Sequence, residues 1–299
     1  MARADSLHAL ASGNKIYKLK PVFEYAKEKK ISKILSFGGA YSNHIHALAL
    51  LAQQNNIQAH AIIRGEEKYV NNPTLTDVKN AGMTLEFVSR EEYRLRTDAT
   101  YLETVQRRYP DALIVPEGGS SQLAIKGCAQ MATDINLAVN SDFLAIPSGT
   151  GATAAGLVCG LEDKQRLMIY SVLKDPSLES RIASFIHAEN TDKPHKIKYK
   201  VHNADFGGYA KLDKGMLDFI LEWLQQTGIL LDPIYTSKMC RRLLQQLEAG
   251  EYTSGQSITL IHSGGLQGWR GMQKRVETLS GHEAWEQIND CLSFESDSD

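Results

Sequence analysis

Short apolar runs alternate with amphipathic stretches along almost the whole chain. ISKILSFGG, beginning at Ile31, is apolar and closes in a glycine turn, which predicts a strand. NHIHALALLAQQ follows directly, with apolar residues at helical spacing, and predicts a helix. AHAIIRG, TLEFVS, ALIVPEGG, FLAIPSG, RLMIYSVL, KIKYKVHN and SITLIHSGG continue the strand series. ATYLETVQRRY, GMLDFILEWLQQ and TSKMCRRLLQQLEAG supply helices among them. Strands that are apolar throughout, alternating with helices, predict mostly parallel sheets covered on both faces. No fixed-period repeat or low-complexity linker interrupts the pattern.

Four strands end in glycine-rich turns: SFGGAYSN, VPEGGSS, IPSGTGAT and IHSGG. In open parallel sheets, ligands bind beyond the carboxyl ends of strands, so four such turns suggest one shared cleft. Glycine is also common in ordinary strand-to-helix turns, and each turn taken alone fits that reading. The sharpest is Ser148-Gly149-Thr150-Gly151-Ala152-Thr153, which leaves FLAIP and opens a helix. Free N–H groups and hydroxyls at such a helix start suit an anion, most simply a phosphate. Gly149, Gly151 and Ala154 also fit a dinucleotide-type GxGxxA, for which Asp175 is the available acidic residue. Ser42 and Asn43, after Gly38-Gly39, suit a helix cap. In LDPIYTSKM, Asp232-Pro233 starts a turn and Thr236 or Ser237 suits a cap.

Composition narrows the function classes. With 42% apolar residues in 299, the chain can bury a large core, and a net charge of −2 offers no basic footprint for nucleic acid or a membrane surface. The absence of a long continuous apolar stretch argues against a membrane span. MARADSLHALASG has no apolar signal-peptide core, and the four cysteines are widely spaced, which together suggest a reducing, cytoplasmic setting. The Ser-rich acidic tail SFESDSD suits a poorly ordered end. His44 and His46 stand two apart with no third ligand in sight, so no metal is expected. GxSxG, HExxH and Walker A motifs are missing. In SGNKIYKLK, local sequence alone does not say whether Lys15 or Lys18 is a reactive amine or whether both belong to a basic helix start.

These segments, in this order, resemble the fold-type II pyridoxal-phosphate enzymes, specifically the 1-aminocyclopropane-1-carboxylate deaminase and D-cysteine desulfhydrase family. The resemblance runs through SGNKIYKLK, SFGGAYSNH, VPEGGSS, SGTGATAAG, Tyr209-Ala210, LDPIYTSKM and IHSGG, from about residue 3 to residue 272. It implies two open, mostly parallel twisted sheets with helices on both faces, as in the tryptophan synthase β type. It also implies a smaller α/β domain over 27–120, and a larger cofactor-binding domain from 1–26 and 121–299, with the cleft between them. The implied cofactor is pyridoxal 5'-phosphate, bonded to Lys15. Lys18 becomes a phosphate partner, with Thr150, Gly151, Ala152 and Thr153 holding the phosphate. Asn43 faces the cofactor's phenolic oxygen and Thr236 its pyridine nitrogen. Ser42, Tyr209 and Tyr235 would take part at the substrate. His44, Ser263 and Gly264 would line the pocket beside Ser42. A homodimer acting on a small amino acid is implied as well.

Two positions divide the family. Ring-opening deaminases carry glutamate and leucine where this chain has Thr236 and Ser263, whereas D-cysteine desulfhydrases carry small hydroxyl residues. A carboxylate protonates the pyridine nitrogen and strengthens the electron sink; a hydroxyl leaves it weaker, sufficient when a thiolate departs. The resemblance therefore points to β-elimination from D-cysteine, with cyclopropane ring opening as the alternative. An NAD-dependent oxidoreductase built on GTGATA and a non-catalytic cofactor-binding protein are the readings of other classes. Departures from the family are Met1-Ala2-Arg3-Ala4-Asp5, in which the first strand looks missing, Ser12 before Gly13, and Ala210-Lys211-Leu212 after Tyr209.

Overall fold

The computed structural model describes residues 1–7, 13–67, 70–189 and 198–293. Ser12 and the acidic tail from 294 onward lie outside the described residues. Nine strands form two parallel sheets among those described. The smaller sheet has the order β4 (Thr84–Val88), β3 (Gln58–Arg64), β2 (Lys33–Gly39), β5 (Ala112–Val115). The larger has the order β1 (Ala2–Arg3), β9 (Ile258–His262), β6 (Phe143–Ser148), β7 (Arg166–Ser171), β8 (Tyr199–Asn203). Every strand pair is parallel. The parallel sheets expected from the alternating pattern, and the two-sheet architecture implied by the family resemblance, are both observed.

Covered faces explain why the strands read as apolar runs rather than alternating ones. In β2, Ile34 packs into one apolar cluster while Leu35 and Phe37 pack into another on the opposite face. The first cluster joins the smaller sheet to helices α1 (Asn14–Glu28), α2 (Asn43–Gln54) and α3 (Pro73–Asn80) through Leu19, Val22, Phe23, Ile45, Leu48 and Leu75. Helix α1 also lies against α6 (Gln122–Ala138), which covers the larger sheet together with α7 (Ala152–Gly160) and α8 (Leu178–Ala188). On the other face of the larger sheet sits α10 (Thr236–Glu248). Helix α1 thus touches both halves, and it carries both candidate lysines.

One sequence expectation is corrected here. The first strand is present: Ala2 and Arg3 pair in parallel with Ile261 and His262. Its anchor is the buried Asp5, which accepts from Arg3 Nε at 2.8 Å and lies 3.5 Å from His262 Nδ1. Two residues are too few to show as an apolar run, so the strand is legible only through its partner.

Candidate active site

Helix α1 starts where Gly13 meets the turn after β9. Gly13 has a φ of +73°, and a Cβ there would drive into the Ser263 carbonyl. The next residue closes the joint: Asn14 N–H donates to Ser263 O at 3.1 Å. Glycine is the residue that permits both the left-handed backbone and the close approach. The consequence is that Asn14 and Lys15 begin α1 at a fixed point beside the IHSGG turn.

Asn14 is buried and bridges two motifs far apart in sequence. Its Nδ2 donates to Thr153 Oγ1 at 2.8 Å, while its Oδ1 accepts from Lys15 Nζ at 2.8 Å. Burial, reinforced by the Lys18 charge and against the opposing pull of Cys128 and Asp232, lowers the Lys15 pKa to about 7. An amine near neutrality is available as a nucleophile at physiological pH. Lys18, one turn on, is buried and donates to the Gly118 carbonyl at 2.9 Å, and burial lowers its pKa too.

The turn at 148–153 has the shape of an anion cradle. Gly151 takes a left-handed φ of +92° and caps α7, with no side chain making the capping hydrogen bond. The first N–H groups of a helix have no partner within it. Thr150 Oγ1 accepts from Ser120 Oγ at 2.8 Å, so the VPEGGSS turn joins the SGTGAT turn. Arg181 Nε holds the Thr150 carbonyl at 2.9 Å. Asp175, the acidic residue of the dinucleotide reading, is bonded to Arg181 and accepts from Ser177 Oγ at 2.6 Å. It is thereby committed to the start of α8 and does not serve a ribose.

At the opposite end stands the start of α10, where a second expectation is corrected. Neither Thr236 nor Ser237 caps the helix. The fully buried Asp232 does so, accepting from Ile234 N at 3.0 Å, Tyr235 N at 2.7 Å and Thr236 N at 2.6 Å. Its carboxylate spans three orphan donors, more than either hydroxyl could satisfy. The hydroxyls of Thr236 and Ser237 are buried without hydrogen-bond partners. A buried hydroxyl without a partner is costly, and a ligand atom is one way to satisfy it.

Ser42 caps α2, its Oγ accepting from Ile45 N at 3.3 Å. Asn43, the next residue, is bonded through Oδ1 to Gln267 Nε2, and its Nδ2 lies against Gly265, where a Cβ would stand 2.9 Å away. His44 is buried with Nε2 at 2.7 Å from Ser36 Oγ, whose proton goes to Val115 O at 2.7 Å. The Val115 carbonyl can only accept, so the His44 proton sits on Nε2 and its Nδ1 lone pair has no partner. Burial, reinforced by the Lys15 and Lys18 charges, keeps that imidazole neutral by pushing its pKa well down. Gly119 lies beside His44 and Lys18. His46 is elsewhere, 3.0 Å from Asp77. No group of residues suited to a metal occurs among those described.

Tyr209 and Tyr235 meet edge to face, with ring centroids 6.4 Å apart. Tyr235 also lies over Gly149, whose added Cβ would come within 3.3 Å of its ring. Desolvation raises both phenol pKa values, although for Tyr209 the Tyr235 hydroxyl pulls the other way. The loop carrying Tyr209 is held by Lys238, whose Nζ donates to Asp205 O at 2.7 Å and Gly208 O at 2.6 Å. Ser263 and Gly264 follow β9; Gly264 N donates to His262 Nδ1 at 3.3 Å.

Lys15, Asn14, Thr153, Thr150, Gly151 and Ala152 therefore converge directly, with Lys18 beside Gly118 and Gly119. Ser263 and Gly264 join at the start of α1, and Tyr235 covers Gly149. Asn43 meets the Gly265 end, near Asp232 and so near Thr236. Sequence reasoning missed Asp232 as cap, Gln267, Ser36 and Lys238. Of these, Asp232 had a signal: an acid within the apolar LLDPI, just before a helix, must find buried donors.

A near-neutral lysine, a phosphate-type cradle and an unpartnered buried hydroxyl at the far end fit pyridoxal phosphate. The fold and site thus define a class, the fold-type II pyridoxal-phosphate enzymes. A sequence model described as "Pyridoxal-phosphate dependent enzyme" matches residues 1–264, and the chain belongs to that family. A "Bifunctional D-cysteine desulfhydrase/1-aminocyclopropane-1-carboxylate deaminase, mitochondrial" of Arabidopsis thaliana is 25% identical, over 91% of this chain and 73% of that protein. A "Putative 1-aminocyclopropane-1-carboxylate deaminase" of Pyrococcus furiosus is 28% identical, over 89% of this chain and 84% of its own. A "D-cysteine desulfhydrase" of Klebsiella pneumoniae is 24% identical, over 88% and 85% respectively. Among solved structures, an "ACC deaminase homologue" superposes with a TM-score of 0.81 at 25% identity, over 91% of this chain and 86% of that one. The serine racemase of Dictyostelium discoideum shares the fold, with a TM-score of 0.65 at 14% identity over 88% of this chain and 86% of that one.

Proposed function

We propose that this chain catalyses β-elimination from a small amino acid, D-cysteine foremost, to give pyruvate, ammonia and sulfide. The observation that carries this choice is Thr236: a hydroxyl, buried and unpartnered, stands where ring-opening relatives would need a carboxylate. When bound, pyridoxal phosphate supplies a carbonyl carbon that bonds amines and a ring that takes up electrons.

The chain's own residues do the rest. Lys15 Nζ, with its pKa lowered to about 7, would bond the cofactor and, once freed, would accept the α-proton. Asn14 Oδ1 holds that nitrogen in place. Thr150, Gly151, Ala152 and Thr153 would hold the phosphate at the start of α7, and Lys18 would add positive charge nearby. Asn43 would face the ring oxygen. Thr236 Oγ1 would face the ring nitrogen without protonating it. Ser42, whose Oγ accepts a backbone proton, keeps its own proton to donate to the substrate carboxylate. His44 lines the same end, with Ser263 and Gly264. Tyr209 and Tyr235, protonated at neutral pH, cover the substrate and donate toward the departing sulfur.

The balance is D-cysteine plus water giving pyruvate, ammonia and hydrogen sulfide. The test is a product assay with D- and L-cysteine, D-serine, β-chloro-D-alanine and the cyclopropane amino acid. Pyruvate and sulfide from D-cysteine support the reading. α-Ketobutyrate from the cyclopropane substrate alone, the activity in the name of the Pyrococcus relative, replaces it with ring opening. Bound cofactor without turnover of any of these amino acids points to the non-catalytic alternative.

The reading extends to a cytoplasmic homodimer built from the two domains at 27–120 and at 1–26 with 121–299. All four cysteines are free thiols, which suits a reducing compartment. No helix among the described residues is long and apolar enough to cross a membrane. Light scattering at the monomer mass of 33.2 kDa would contradict the dimer.

A further inference from the structure

Gln267 lies in the turn after β9 and reaches to helices α2 and α3 beside the smaller sheet. Its Oε1 accepts from the Thr74 hydroxyl at 2.7 Å, and Thr74 is fully buried. Its Nε2 donates to Asn43 Oδ1 and, more weakly at 3.5 Å, to the Tyr41 carbonyl. That last contact breaks the symmetry of two facing amides. A backbone carbonyl only accepts, so the end of Gln267 that reaches Tyr41 is the nitrogen. The end of Asn43 facing that nitrogen must then be the oxygen. Asn43 is left presenting Nδ2, a donor, toward Gly265.

We propose that Gln267 is a positioning residue that sets the Asn43 side-chain amide, so that Asn43 offers a donor rather than an acceptor to the cofactor's ring oxygen. The inference rests on the reading of Asn43 given under the proposed function. Neither partner could do this alone. Asn43 turned by half a rotation would fill the same space and present an acceptor to an oxygen. Thr74 fixes the far end of Gln267, and Arg270, paired with Asp77 one turn on, holds the same segment to α3. The relay therefore connects the larger sheet's last turn to both α2 and α3.

The experiment compares wild type with Gln267→Glu, Gln267→Leu and Thr74→Val. Each unloaded protein is titrated with pyridoxal phosphate, following the visible band of lysine-bound cofactor, its pH titration and its dissociation constant. Gln267→Glu is acceptor-only when ionised and forces Asn43 to turn its nitrogen away from the site. It should weaken cofactor binding about tenfold or more and displace the pH midpoint of the band. Gln267→Leu should weaken binding less, because it frees Asn43 without turning it, and Thr74→Val less again. Melting of the unloaded proteins separates a purely structural role, which would lower stability in the Leu and Glu variants alike and leave band and midpoint unmoved. If wild type forms the band and Gln267→Glu matches it in midpoint and affinity, the Gln267 assignment is overturned while the cofactor reading stands. If wild type forms no band, the cofactor reading falls and this assignment with it.

Discussion

Asn14 Nδ2 donates to Thr153 Oγ1 at 2.8 Å, joining the start of the lysine-bearing helix to the start of the phosphate-type helix. The same side chain holds Lys15 Nζ through its oxygen. Asn14→Ala removes both bonds. It should weaken pyridoxal phosphate binding by about 1–3 kcal/mol, a factor of roughly 5 to 150, because Thr153 and Lys15 lose their orientation together. Fluorescence titration with cofactor measures it; an unchanged dissociation constant would remove Asn14 from the site.

The lowered pKa of Lys15 makes stability depend on pH in a definite direction. The folded pKa, about 7, lies below the ordinary 10.5, so between these values the unfolded chain binds more protons than the folded one. Stability of the unloaded protein from this group therefore rises as pH climbs from about 7 toward 10.5, and is at its lowest below 7. Lys15→Met should accordingly stabilise the unloaded protein near pH 6 and lose that advantage by pH 10. Thermal melts at the two pH values provide the check. An equal shift at both would contradict the burial of charge.

Gly13 is the hinge pin of the α1 start. Gly13→Ala puts a Cβ into the Ser263 carbonyl in a backbone region that disfavours any side chain. It should cost about 3 kcal/mol or more, since strain and steric overlap act together. Urea unfolding reads this directly. A loss under about 0.5 kcal/mol, the usual range for an innocuous surface change, would show that the joint yields easily.

Thr236 separates folding from function. Thr236→Val deletes a buried hydroxyl that lacks a partner in the unloaded chain. The unloaded protein should gain stability, by about 1 kcal/mol, while the visible spectrum of the loaded protein changes. Thr236→Glu should instead favour a protonated ring nitrogen and move activity toward the cyclopropane amino acid. If Thr236→Val destabilises the unloaded protein, its hydroxyl is engaged by the chain itself.

Much of the fold is legible in the sequence because both periodicities are strong. The helix over 43–54 carries its cap, Ser42, and its apolar stripe in plain order, and buried strands such as β6 show as unbroken apolar runs. Pairing between distant residues is not legible in this way. Lys15 and Lys18 share one helix, and they part company through distant partners: Thr153, 139 positions away, fixes the Asn14 that holds Lys15, and the Gly118 carbonyl, 100 positions away, takes Lys18. The start of α10 misleads for a related reason. Thr236 and Ser237 are good caps by type, yet Asp232, four residues earlier, curls back and takes the donors first. Gln267 carries no local signal at all; its partners lie 193 and 224 positions away.

The central claim is that Lys15 is the amine that holds the cofactor. Loading the protein with pyridoxal phosphate, reducing it with borohydride and sequencing the modified peptide by mass spectrometry tests that claim most directly. The account predicts a single pyridoxyl group on Lys15, lost in Lys15→Ala together with the visible band. Modification of Lys18 instead, or a band that persists in Lys15→Ala, would contradict it.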